Sequence, residues 1–198
     1  MNDWHIQCAV RALRAGGLVL HATEGVWGLA CDPFDGESVA RLLALKGRPV
    51  SKGLIVIGAD ADMFALELAS LSPDDRARVL TSWPGAVTWI LPNQRFPDWI
   101  TGGRSQVAVR VPGHAQARAL SRAFGGPLVS TSANPSGRPP ARSMLQARGQ
   151  FGPMRGRSQR DRSAPPFPGE QDYLLPGEVL SPGSPSQIRT LAGDVLRS

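Results

Sequence analysis

The feature that most constrains the fold is a repeated switch of hydrophobic period. Short apolar runs, LIVIG at 54–58, AVTWIL at 86–91, QVAVRV at 106–111 and PLVST at 127–131, alternate with segments whose apolar residues recur three to four positions apart. A run of five or six apolar residues suits a buried strand, and the 3.6-residue period suits a helix with one inward face. Alternation of the two along one chain predicts an α/β fold around a single mixed sheet.

The helical segments can be placed by their punctuation. Ile6, Val10 and Leu13 share one face, and Gly16-Gly17 ends that helix. GESVARLLALKG (36–47) puts Val39, Leu42 and Leu43 inward and carries Lys46 to its C-terminal end. DADMFALELAS (60–70), SPDDRARVLTSW (72–83, with Ser72 and Asp75 as a capping box) and HAQARALSRAFGG (114–126) complete the helices. ATEGVWGLACDP (22–33) reads as a Gly-punctuated loop after a strand at 18–21, and STSANPSG (130–137) as a turn-rich segment. Structure resumes near Tyr173 and ends with SQIRTLAGDVLR.

The length, 198 residues, suits one domain over 1–198, interrupted by a flexible basic insertion at about 153–171 that carries four Arg and four Pro. No apolar run reaches the roughly 18 residues of a membrane span, and the N-terminus lacks the order of a secretory signal, so a cytoplasmic protein with no membrane contact is expected. Cys8 and Cys31 lack metal-ligand spacing, so no metal site is expected from them.

The net charge of +6 suits an anionic ligand. Its two lysines, Lys46 and Lys52, fall six positions apart in KGRPVSK with Arg48 between them, although the chain has 22 basic residues. A compact ammonium suits a phosphate, and arginine supplies a planar fork. Arg110 interrupts the apolar strand VAVRV, where it must either point outward or meet an anion. Thr23 and Glu24 end a strand beside Gly25 and Gly28. STSANPSG supplies hydroxyls and an amide, so it is either a polar ligand cradle or an ordinary turn. A serine hydrolase would need His5, His21 or His114 beside the 130s, and no G-x-S-x-G supports one. Phosphate-loop, dinucleotide and H-E-x-x-H motifs are also missing.

TEGVWGL (23–29), KGRPVSKGLIVI (46–57), WPGAVTWIL (83–91), VAVRVPGH (107–114), STSANPSG (130–137) and SPSQIRTLAGDVLR (184–197) together resemble the Sua5/YrdC/TsaC family, the L-threonylcarbamoyladenylate synthases, in its short bacterial form. The resemblance implies an open, twisted mixed sheet flanked by helices with a concave positive cavity. It also implies a nucleotidyltransferase that joins L-threonine, bicarbonate and ATP, with Mg²⁺, into threonylcarbamoyl-AMP and pyrophosphate. The product serves tRNA processing, as N6-threonylcarbamoyladenosine (t6A37), through downstream tRNA threonylcarbamoyl-transfer proteins.

By the same resemblance Lys46 and Arg48 are catalytic, and ATP meets Lys46, Arg48, Lys52, Ser132 and Asn134. Threonine meets Thr23, Arg110 and Ser130. The chain departs from the family pattern at Ala22 and Trp27, where Pro and Tyr are usual, and at Gln106, where a hydroxyl is common. Its C-terminal contact would rest on Ser186 or Arg189. Two alternatives come from other classes: a stand-alone RNA-binding module for tRNA or rRNA, suggested by the positive charge, and a carbamoyl-transfer module.

Overall fold

A computed structural model describes residues 3–151, 171–181, 183 and 185–197; the insertion expected at 153–171 therefore lies, but for residue 171, outside the described residues. In chain order the helices are α1 (Asp3–Arg14), α2 (Gly36–Lys46), α3 (Ala65–Ala69), α4 (Pro73–Thr81), α5 (Asp98–Thr101), α6 (Ala115–Phe124) and α7 (Met144–Phe151). The strands are β1 (Val19–Ala22), β2 (Trp27–Cys31), β3 (Ile55–Ile57), β4 (Val87–Pro92), β5 (Gln106–Arg110), β6 (Leu128–Ser132), β7 (Tyr173–Leu174), β8 (Gln187–Thr190) and β9 (Val195–Arg197).

The strands form one mixed sheet in the order β7-β1-β2-β6-β3-β5-β4-β8-β9, as the alternation predicted. The pairs β1–β7, β3–β5 and β4–β8 are parallel, and the other five are antiparallel. Because side chains alternate along a strand, register decides which residues share a face. Leu20, Leu29, Val56, Val109 and Val129 lie on one face and pack with Val39, Leu42 and Leu43 of α2. Val19, Ile57 and Leu128 lie on the other, under Ile6, Val10 and Leu13 of α1 and Ala117 and Leu120 of α6. Those two helices cover only part of the second face. The rest of it floors a cavity.

Three local expectations need correction. The segment 22–33 contains strand β2, buried along its whole length, so it is a central element of the sheet and not a loop. Its glycine at position 28 disguised a continuous buried run. Segment 60–70 breaks into a 3-10 turn over Ala61–Phe64 and the short α3, because Phe64 leaves helical geometry at φ −119°. Strand β6 runs through Ser132, so three of the four hydroxyls of STSANPSG, those of Ser130, Thr131 and Ser132, stand on the sheet. The Ser72 hydroxyl does cap α4 by accepting from Asp75 N.

Candidate functional site

A cavity of about 530 Å³ opens over the second face. Its floor follows from register: His21 pairs with Gly28, Gly28 with Ser132, and Ile57 with both Leu128 and Arg110. Gly28, Ser130, Ser132, Ile55, Ile57, Ala108 and Arg110 line it. Arg110 stands at one end of β5 and Gln106 at the other, about 14 Å apart at the usual rise per strand residue. Loop 48–53 precedes β3, which runs parallel to β5, so it brings Arg48 and Lys52 to the Gln106 end.

At the Arg110 end the strand arginine meets an anion of its own chain. Arg110 is 7% exposed, donates from Nε to Gly85 O at 2.8 Å, and is ion-paired through a terminal nitrogen to Glu24. Its remaining terminal nitrogen has no partner among the described residues. Glu24 Oε1 also accepts from Gly113 N at 2.5 Å, while Oε2 is buried without a hydrogen bond among the described residues. Burial pulls the Arg110 pKa below its ordinary value, and Glu24 opposes that shift. Thr23 lies beside them with its hydroxyl donating to Val26 O at 2.7 Å, closing the tight turn between β1 and β2. Residues 181 and 183 brace this turn, through Ser181 N to Glu24 O (2.9 Å) and Gly183 N to Gly25 O (3.1 Å).

The Gln106 end is cationic. Arg48 folds back so that Nε and a terminal nitrogen both donate to Gly53 O, at 3.2 and 2.8 Å. Lys52 is exposed, and its ammonium has no partner among the described residues. Arg104, which the motif reading missed, also lines this end and ties Thr101 O to Ser51 O, at 3.2 and 2.7 Å. Its signal in the sequence, one Arg after a Gly-Gly pair, is too common to single out. Glu24 is the sole acid lining the cavity among the described residues.

Lys46 does not line the cavity. The last turn of α2, capped by Gly47 at φ 58°, delivers it to the C-terminal end of β6. There the ammonium donates to Ser132 O and, at 2.7 Å, to Asn134 O, while Lys46 O accepts from Ser136 N at 2.7 Å. Lys46 is 4% exposed, and its pKa is lowered to about 7, first by burial and then by Arg48. Asn134 also stays behind the wall. Its amide donates to Arg138 O at 2.6 Å and to Pro135 O at 3.1 Å, and its Oδ1 is buried without a partner among the described residues. The structure thus brings Thr23, Arg48, Lys52, Arg110, Ser130 and Ser132 to one cavity and sets Lys46 and Asn134 just behind it.

Other sites flagged in the sequence fall around this cavity. Gln106, Trp27 and Ser186 line it, Ser186 with its hydroxyl 2.8 Å from Thr88 Oγ1. Arg189 does not line it and donates to Gln187 Oε1 at 2.7 Å. His21 is near the 130s after all: its Nε2 lies 3.2 Å from Ser130 Oγ. Its Nδ1 faces the Ala22 carbonyl at 3.1 Å and no carboxylate, so the third member of a hydrolase triad is missing there.

A family model, Sua5_yciO_yrdC, described as "Telomere recombination", matches residues 11–154. The chain is 42% identical to the threonylcarbamoyl-AMP synthase of Cellvibrio japonicus, with 100% of this chain and 99% of that one covered. It is 52% identical to the threonylcarbamoyl-AMP synthase of Halorhodospira halophila over 76% of this chain and 80% of that one. Among solved structures it is similar to P. abyssi Sua5 in complex with L-threonine, at a TM-score of 0.83 and 28% identity. That match covers 100% of this chain and 54% of that one, so the chain spans about half of the P. abyssi protein.

Proposed function

The chain belongs to the Sua5/YciO/YrdC family, and from that premise we infer that it is a threonylcarbamoyl-AMP synthase acting on L-threonine, bicarbonate and ATP. Identity of 42% to a synthase along the full length of both chains supports the activity. The observation that carries the mechanism is the two-ended cavity. Its Arg110 end carries Thr23 and its other end carries Arg48, Lys52 and Arg104. Ser130, level with Ala108 between the two ends, has a histidine but no carboxylate behind it to complete a nucleophile's triad.

On this reading threonine lies at the Arg110 end, its carboxylate meeting the free terminal nitrogen of Arg110 and its polar atoms meeting Thr23 and Ser130. The triphosphate reaches toward Arg48 and Lys52, with Ser132 two residues further along β6 than Ser130 in the direction of that end. A carbamate oxygen of N-carboxythreonine attacks the α-phosphorus, the bond to the β-phosphate oxygen breaks, and pyrophosphate leaves. Both reactants are anions, so positioning and charge neutralisation supply the catalysis. Lys46 contributes by holding the Ser132 and Asn134 carbonyls, and with them the wall that Ser132 presents. Mg²⁺, if carried on the triphosphate beside Arg48 and Lys52, would add to the charge neutralisation those residues supply.

We extend the reading to one domain over 1–198, a cytoplasmic location, and delivery of the adenylate to proteins that modify tRNA. No helix among the described residues is long and apolar enough to cross a membrane. The test is pyrophosphate release with ATP, bicarbonate and a panel of amino acids. Release that depends on threonine is expected. Release with none of the amino acids, or equal release with all, overturns the assignment.

A further inference from the structure

His21 is fully buried on β1, at the border between the helix-covered part of the sheet and the cavity floor. Its neighbour on β2 is Gly28, and a Cβ there would lie 2.9 Å from His21 Nε2 and 3.1 Å from Ser130 Oγ. The glycine therefore clears a path by which an imidazole on β1 reaches across β2 to a hydroxyl on β6. Nothing else in the register requires a glycine at that position, since its φ is not positive.

The hydrogen in this contact has a determined direction. His21 Nδ1 faces Ala22 O at 3.1 Å, and a carbonyl can only accept, so Nδ1 carries the ring hydrogen. Burial lowers the His21 pKa to about 4, so the ring is neutral at physiological pH and Nε2 is bare. A bare Nε2 at 3.2 Å from Ser130 Oγ must accept, and Ser130 must donate. A serine hydroxyl has one hydrogen. With that hydrogen turned inward, Ser130 offers the cavity lone pairs alone. Ser132, two residues along on the same face, has no side-chain partner among the described residues and is free to serve as donor or acceptor.

We propose that His21 is a positioning residue that fixes Ser130 as an obligate hydrogen-bond acceptor in the cavity, selecting the N–H of the bound amino acid. The proposal rests on the threonine reading of the Arg110 end. Threonine brings an ammonium to the site, and after carboxylation the carbamate nitrogen still keeps one N–H. An acceptor with no donor alternative holds that N–H in one direction through both states. The carbamate oxygens then point away from Ser130, toward the triphosphate end. A histidine serving only as a satisfied core residue would give the same burial but no such selectivity.

Two measurements test this. The first needs no substrate: nitrogen NMR of the imidazoles at neutral pH in the free protein should show His21 with its hydrogen on Nδ1 and a shift at Nε2 that moves in Ser130→Ala. A hydrogen on Nε2 overturns the proposal. The second uses turnover. His21→Phe and Ser130→Ala should each raise KM for threonine about tenfold, the scale of one lost hydrogen bond, with KM for ATP unchanged. Their double variant should be no worse than either single one. His21→Gln, whose side-chain oxygen can accept the same hydroxyl hydrogen, should recover most of the affinity and controls for damage to the fold. Threonine KM unchanged in a folded His21→Phe protein, or additive losses in the double variant, would also overturn it. Unmodified protein that shows no threonine-dependent turnover would instead strike the synthase reading, and the tautomer measurement stands independent of that result.

Discussion

Arg110 and Glu24 form an ion pair at one end of the cavity floor, joining strand β5 to the turn between β1 and β2. The pair is anchored on both sides, by Arg110 Nε on Gly85 O and by Glu24 Oε1 on Gly113 N. A cation in a buried strand is costly alone, and here its own chain supplies the counter-charge. At this end the cavity is therefore offered one terminal nitrogen of Arg110, already oriented before anything binds.

Removing either partner leaves the other as an uncompensated buried charge, at a cost of about 3 kcal/mol or more. Arg110→Ala and Glu24→Ala should each lower the urea midpoint. The double variant should be more stable than the sum of the two losses predicts, by about 1–3 kcal/mol of coupling. Threonine-dependent turnover should fall about 100-fold in Arg110→Ala, the usual scale for a lost preorganised donor. Additive stability losses would show that the two side chains do not act as a pair.

Lys46 gives a pH prediction whose sign is fixed by the direction of its shift. Its folded pKa lies near 7, below the roughly 10.4 of an unfolded lysine. Between those values the unfolded chain binds more protons, so this group makes stability rise as pH rises from about 7 to about 10. Below about 7 the charge is present in both states and the slope from Lys46 vanishes. The difference in unfolding free energy between the unmodified protein and Lys46→Met should therefore grow across pH 7–10 and stay flat below. Lys46→Met should also weaken the fold at neutral pH, because it strips the Ser132 and Asn134 carbonyls of their donor, and should lower turnover about 100-fold.

The sheet and the cation placement were legible because they are written locally. The apolar runs at 54–58, 86–91 and 106–111 became β3, β4 and β5, and GESVARLLALKG became α2 with Lys46 on its last residue. The capping box was local too: Ser72 and Asp75 are three residues apart, and the Ser72 hydroxyl accepts from Asp75 N. What could not be read was pairing across long separations. That β2 sits between β1 and β6 makes sense of Gly28, yet a lone glycine in WGLAC resembles a loop. Arg110 required an anion, but the strand does not say which one; Glu24 lies 86 residues earlier in the chain. Likewise Ser130 and His21 are 109 residues apart, and their contact exists only because three strands pair in one register.

Asp172 should be a strong determinant of stability. Its side chain is fully buried, ion-paired with Arg41 of α2, and accepts from Leu18 N at 2.8 Å, so it ties the chain entering β7 to both α2 and the start of β1. Asp172→Ala leaves the Arg41 guanidinium and the Leu18 amide short of an acceptor, a loss of about 3–5 kcal/mol. At this chain length that corresponds to a fall in Tm of roughly 6–20 °C. Thermal unfolding checks it, and a change under about 2 °C would mean that β7 is held by backbone pairing alone.

Gly28 allows a prediction in which one substitution changes sign with its background. An alanine in a strand is ordinarily favoured over glycine by about 0.5–1 kcal/mol, because the unfolded chain loses freedom. At Gly28 the added methyl would meet His21 Nε2 at 2.9 Å and Ser130 Oγ at 3.1 Å. The ring must turn or the contact to Ser130 must break, so Gly28→Ala should destabilise by about 1–3 kcal/mol, the usual cost of overpacking. Replacing His21 by Ala removes the atom that the methyl strikes. In that background Gly28→Ala should become neutral or stabilising, measured as the shift in urea midpoint between His21→Ala and the double variant. The same loss in both backgrounds would locate the need for glycine in the β2 backbone itself and leave the passage from His21 to Ser130 unexplained by Gly28.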